Sequence, residues 1–518
     1  MVTTEQQDSW LPIEPPLPSV FSGNFLGDWV PEKPLADNLE VVRFLSELAL
    51  QDLGGKPITG PSEEGDEILA KMMAAETAAA IERAGRSSLH WYTDTLQRAF
   101  AVAATMHPEV LVDAAARPHA HIGFRSAEDA RLVLIAAMAI TSQNMVVQAN
   151  MKAALEQYRH FLGEGRFLPK AYGAKGKPIM ANLERFNLVL EALGGDLGRM
   201  RKLLTARFTM GEFRKAAEKF GIRISGKELV SEAVYGSMLF GPKIGNFMQN
   251  LLGNHEPVTI DLWFMRTWGR YTGTLVGGEL PAGAVPRLVK GLRRSMRGKR
   301  MAASMAEAGI PEPGAFRSMD SEELVAACRE VVLFWERMRR GMARKGVTNE
   351  EMSRIKADLS WPGAAESVVR ALGAPVDSPK TASTRRWIRS VVFRALEILK
   401  DSGYEMTAAD MQACLWYPEK ELYDRLTGRP VGQLNLGYDE AMSVIARQEG
   451  IPDDEVERAL RSVGTDGLGR RGGHGAPRRG DAGADPRIRE GVDVNRGDAG
   501  GLGDDHERGM IPVPGMAA

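Results

Sequence analysis

The chain reads as all-α, and three features of its 518 residues predict this. Apolar side chains recur at helical spacing, as in Val41, Val42, Phe44, Leu45 and Leu48. Hydroxyl residues stand three positions ahead of an acid, the spacing of a helix cap, at Ser126 and Asp129, Thr209 and Glu212, and Ser225 and Glu228. No stretch of any length alternates apolar and polar residues with the period of two that a half-buried strand requires.

Composition sets the outer limits. With 44% hydrophobic and 26% charged residues the chain matches an ordinary globular protein, and its length suggests about two to four structural units. No apolar run approaches the roughly 20 residues of a membrane helix. The opening MVTTEQQDSWLPIEPP has neither the basic nor the apolar part of a signal peptide, so a cytoplasmic location is expected. Cys328 and Cys414 are too few for a four-cysteine metal site and read as reduced core thiols, and the eight histidines show no ligand spacing. No metal, no cofactor, no membrane and no protein partner is therefore expected.

In chain order, residues 1–38 form a proline-rich arm dotted with Trp10, Phe21, Phe25, Trp29, Pro31 and Pro34, expected to pack on a surface. Residues 39–125 are an N-terminal helical region, with a helix from Asn38, a Gly/Pro-rich break at 54–65, a second helix to about Arg83 and breaks at Pro108 and Pro118. Residues 126–275 form a core that opens with a very apolar helix, interrupted at Thr141-Ser142-Gln143-Asn144. A polar cluster in such a helix must find partners or face a cleft. Helices should start again at Thr209 and Ser225, the second running into Tyr235-Gly236 before a turn at 239–242.

Residues 276–378 are a helical insertion with a break expected at Pro362, and residues 379–461 a C-terminal helical region in which Thr407 caps a long helix. Residues 462–518 are rich in Gly, Asp and Arg, with too few large apolar side chains to offset ordering entropy, so a disordered tail is expected. The net charge of −1 hides a basic run at 287–300 that includes Arg293 and Arg294, either an exposed helix face or a phosphate contact.

Chemistry is implied at residues 235–270. Pro242 suits the first position of a helix and Gly253 its stop, which leaves Lys243 in the first turn, where the helix dipole disfavours a cation. That suits an amine asked to act as a nucleophile, although a solvated surface lysine is the plain alternative. The helix from Lys243 to Gly253 rises about 15 Å, and the seven residues that follow span up to roughly 23 Å. The return can therefore bring Asp261 level with Lys243. Asp261 is a good helix cap and, beside an amine, also a carboxylate able to stabilise a cationic sugar.

With the turn at 239–242, Lys243 and Asp261 in this order, residues 239–270 resemble the signature of the endonuclease III-like helix-hairpin-helix DNA glycosylases. The resemblance extends to ITSQNMVVQAN upstream and, more distantly, to the helix around 410–426. It implies a helix-hairpin-helix glycosylase core with extra N-terminal helices, an insertion and a tail. It also implies excision of a damaged or modified base from double-stranded DNA, with β-lyase activity. Lys243 falls at the family's Schiff-base lysine and Asp261 at its essential aspartate, while Leu239, Gly241 and Pro242 fall on the DNA-binding hairpin. Gln143 falls near the flipped base, and Arg266 and Arg270 on an Asp-x4-Arg-x3-Arg pattern that some members share. Leu239 stands where a hairpin glycine is usual, and Leu262-Trp263 where Thr-His is frequent. A relative from phage base-hypermodification systems and a silent DNA-binding module are the other readings.

Overall fold

Short-range chemistry places many of the helix starts. Ser126, Asp196, Thr209, Asp320, Thr348, Thr381 and Thr407 each accept a backbone N–H in the first turn of the helix they precede. The computed structural model describes residues 11–26, 33–36, 38–84, 91–111, 124–143, 145–173, 176–224, 228–277, 280–429 and 437–466. Trp10, Trp29, Pro31, Pro118, Asn144, Ser225 and residues 467–518 of the tail lie outside them.

The N-terminal region holds α1 (Ser22–Leu26), α2 (Asn38–Asp52), α3 (Glu63–Ala84) and α4 (Trp91–Met106). Next come α5 (Ala127–Thr141), α6 (Val147–Glu164), α7 (Gly176–Ala192), α8 (Leu197–Thr205), α9 (Met210–Glu218) and α10 (Pro242–Leu251), then α11 (Leu262–Thr272). The segment 276–378 holds α12 (Ala284–Ser295), α13 (Lys299–Glu307), α14 (Ser321–Ala343), α15 (Asn349–Leu359) and α16 (Trp361–Gly373). The chain continues with α17 (Ala382–Asp401), α18 (Ala408–Leu426), α19 (Tyr438–Gln448) and α20 (Asp453–Asp466). The fold is thus all-α apart from a three-residue antiparallel ribbon, β1 (Arg207–Thr209) with β2 (Ala233–Tyr235), in which Arg207 faces Tyr235. Among the described residues no helix is long and apolar enough to cross a membrane.

Three expectations need correction. No helix runs from Ser225 into Tyr235: residues 228–232 are irregular and lead into β2, because Glu228 is drawn into an ion pair with Arg385, and Glu232 into pairs with Arg386 and Arg389. The break in the insertion comes at Ser360, whose φ of 59° ends α15, while Pro362 sits in the first turn of α16 where a missing N–H costs nothing. Residues 462–466, assigned to the tail, complete α20.

Two large cores meet along α18. The first gathers α4 to α10 with α19 and part of α18. In it α5 buries 13 side chains, among them Leu132, Ile135 and Met138, so its polar end at Thr141 is closed internally: Asn150 Nδ2 donates to Met138 O and Thr141 Oγ1. The second core is built from the arm, α3, α11, α17 and the start of α18, and includes Leu17, Val20, Trp268 and Trp387. Residues 284–368 enclose a third core around Trp335 and Trp361. The ends of that segment meet, since Val276 bridges Pro375 and Val376 N donates to Leu275 O at 2.9 Å.

Candidate functional site

The hairpin is a strand, a 3-10 turn and a helix. After β2 the turn Gly236–Phe240 ends at Gly241, whose φ of 93° and ψ of 162° lie in a region closed to residues with a Cβ, and Pro242 opens α10. Turn and helix lie backbone to backbone: Ser237 Oγ donates to Gly245 O at 2.9 Å, and a Cβ on Gly245 would come to 2.6 Å from Ser237 O. From α7, Arg185 donates to Leu239 O at 2.6 Å and Asn182 to Phe240 O at 3.4 Å. Leu239 is buried and needs no left-handed backbone, because the turn places its one positive φ at Gly241. Its side chain therefore supports the turn from inside and is not a surface contact.

The return loop is stitched to α10. Asn250 Nδ2 donates to Asn254 O (3.0 Å) and Pro257 O (2.9 Å), while its Oδ1 accepts from Thr259 Oγ1 (2.7 Å). One turn nearer the helix start, Asn246 Nδ2 donates to Val258 O at 2.8 Å. Gln412 of α18 takes the N–H of Thr259 at 3.1 Å. The loop therefore doubles back along α10 and delivers Asp261 as the N-cap of α11, accepting from Phe264 N at 2.9 Å.

Asp261 is met there by residues of α18 and α19. Lys420 of α18 lays its ammonium 3.5 Å from the ring centre of Trp416, one turn earlier on the same helix, and 5.8 Å from that of Trp263 on α11. Burial pushes the Lys420 amine down to about 8, although the carboxylates of Asp261 and Asp424 favour its charged form. Tyr438, the first residue of α19, has its phenol pushed up by burial and by the charge of Asp261. Asp261 thus acts on an amine and a phenol supplied by two other helices. Lys243 is half-buried at the second position of α10, and no hydrogen bond or ion pair holds its ammonium among the described residues.

The two arginines of α11 belong to the interior. Arg270 is 0% exposed and donates to Glu76 (2.5 and 2.8 Å), to Glu419 (2.6 and 3.0 Å) and to Val20 O. Arg266, also buried, lies 4.9 Å and 5.0 Å from the ring centres of Tyr423 and Trp263, with Asp377 at 3.8 Å. Neither guanidinium is presented to a phosphate, which corrects the expectation from the Asp-x4-Arg-x3-Arg pattern. Burial opposes the charge of Glu76, but Arg270 outweighs it and holds this carboxyl below its ordinary range; at Glu419 burial prevails and the carboxyl is raised.

Gln143 stands half-buried just past the end of α5 and donates to Ile140 O at 3.2 Å. Arg293 and Arg294 are exposed on α12 in company with Arg287, Lys290, Arg297, Lys299 and Arg300, and no ion pair among the described residues engages any of the seven. Sequence reasoning missed Lys420, Trp263 and Tyr438 as candidate site residues. The signal for the first was the i, i+4 spacing of Trp416 and Lys420, which stacks an amine on an indole within one helix. The chain matches no family model, no curated protein and no solved structure.

Proposed function

We propose that the chain is a DNA base-excision enzyme, a glycosylase with β-lyase activity that cleaves the N-glycosidic bond of a damaged or modified base in double-stranded DNA. The observation that carries this reading is Asp261, delivered by a stitched return loop to the start of α11, where its charge acts on an amine of lowered proton affinity that lies over the rings of Trp416 and Trp263. A nucleotide turned out of the stack would meet a carboxylate suited to a cationic sugar, an amine suited to C1′, and indole faces suited to a base. The turn ending at Gly241 and Pro242 would meet the DNA backbone, and Gln143 the flipped base or the gap it leaves.

Incubating the protein with duplexes that each carry one lesion or modified base, and measuring free base, tests the proposal. Release from at least one duplex is expected. The seven exposed cations of residues 287–300 favour a second reading, a DNA-binding module without chemistry, which predicts salt-sensitive binding with no base released from any duplex.

A further inference from the structure

Base excision with strand cleavage needs an amine beside the carboxylate, and two lysines compete for the part. Lys243 stands on the hairpin helix, and among the described residues no hydrogen bond or ion pair joins its ammonium to Asp261. Lys420 comes from α18, 159 positions further along the chain from Asp261, yet shares its electrostatic surroundings. We infer that Lys420, not Lys243, is the nucleophile that adds to C1′, with Trp416 and Trp263 as the walls that hold its amine; the inference rests on the base-excision reading.

The geometry supports the choice in three ways. The ammonium sits 3.5 Å from the centre of the Trp416 ring and 5.8 Å from that of Trp263, the second residue after Asp261, so the amine is confined near the carboxylate. An indole face attracts a cation but accepts no proton, so the amine keeps its lone pair available when neutral. The groups around it are Asp261 on α11, Asp424 on its own helix, and Tyr438 on α19, which feels the same Asp261. Both carboxylates favour the ammonium, and burial still outweighs them, leaving the amine about half neutral near pH 8.

The step balances without any further reagent. The lone pair of the Lys420 nitrogen forms the N–C1′ bond as the C1′–base bond breaks, its electron pair leaving with the base, which takes the proton the nitrogen gives up. The nitrogen lone pair then opens the sugar, the C1′–O4′ pair going to O4′, which is protonated by water. A protonated imine remains at C1′, from which loss of a C2′ proton expels the 3′ phosphate.

The test uses the full chain and a duplex with one abasic site, made by removing uracil, in the presence of cyanoborohydride, followed by peptide mapping. The adduct is expected on Lys420, Lys420→Gln should lower trapping by more than about 100-fold, and Lys243→Gln should leave it within about threefold of the parent. Trapping by the parent should rise with pH and reach half its plateau near 8. An adduct on Lys243, or undiminished trapping by Lys420→Gln, overturns the inference and leaves base excision standing, as does base release without any adduct. Neither adduct nor base release from any duplex refutes base excision itself. Competitive acetylation of the unmodified protein gives a check that needs no variant: Lys420 reactivity should reach half its plateau near pH 8, and a profile like that of the surface lysines overturns the assignment.

Discussion

In its second half α11 carries Arg270, enclosed at 0% exposure and bonded to two carboxylates and a carbonyl, whereas at its start the charge of Asp261 acts on an amine that rests on an indole and, among the described residues, forms no ion pair. The helix is the same and its ends lie only two to three turns apart. At one end the guanidinium is bonded by two carboxylates and a carbonyl, so its replacement strands both acids in the core. At the other, desolvation works against the charge of Lys420 and the carboxylate of Asp261 is spent on capping a helix. A structural ion cluster and a candidate reactive site can thus be told apart by whether their charges are bonded to one another, even when one sequence pattern joins them.

The contrast can be broken most forcefully at the matched end. Arg270→Met leaves Glu76 and Glu419 facing each other in the core, and stability in denaturant should fall by about 3–5 kcal/mol. A loss near zero would remove Arg270 from the list of structural charges. Next in size is the hairpin: Gly241→Ala forces a Cβ into a backbone region of φ 93° and should cost about 1–3 kcal/mol.

A smaller effect distinguishes the ends by pH. The folded Lys420 amine titrates near 8, below its unfolded value of 10.5, so between those values the unfolded chain binds more protons and stability rises with pH. The contribution is at most about 1.4 kcal/mol per pH unit. Denaturation midpoints of the parent and Lys420→Met, measured from pH 7.5 to 10, should diverge, with the variant showing the flatter rise. Smallest of all is the effect on folding at Asp261. Asparagine caps a helix about as well as aspartate, so Asp261→Asn should shift stability by less than about 0.5 kcal/mol while base release collapses. Asp261→Ala should additionally lose about 1 kcal/mol through the missing cap. Full activity in Asp261→Asn would reduce this residue to a cap.

How much of this was legible in the sequence depended on distance along the chain. Thr209, Ser126 and Thr407 were readable as caps because the groups they bond lie three residues away. The return from Gly253 to Asp261 was readable from helix rise and chain reach alone. Ser225 and Glu228 have the same spacing as a true cap, but Glu228 is held by Arg385 and the chain beyond it pairs with β1, information that sits about 20 to 150 residues away. The partners of Arg270, on α3 and α18, were equally invisible, so the arginine pattern resembled a phosphate contact. Lys420 stayed hidden because nothing local to α18 announces that α11 begins beside it.

The junction of Leu275 and Val376 carries a consequence for the chain as a polymer. The roughly one hundred residues between them leave and rejoin the body at adjacent points, joined by a 2.9 Å backbone bond, so the body experiences them as it would a tight turn. Loop-closure entropy grows only logarithmically with length, and here closure is enforced by the segment's own core around Trp335 and Trp361. A graft that joins Leu275 to Val376 through a few glycines should therefore leave α11 and its neighbours folded, and remove the seven exposed cations of residues 287–300 in one cut.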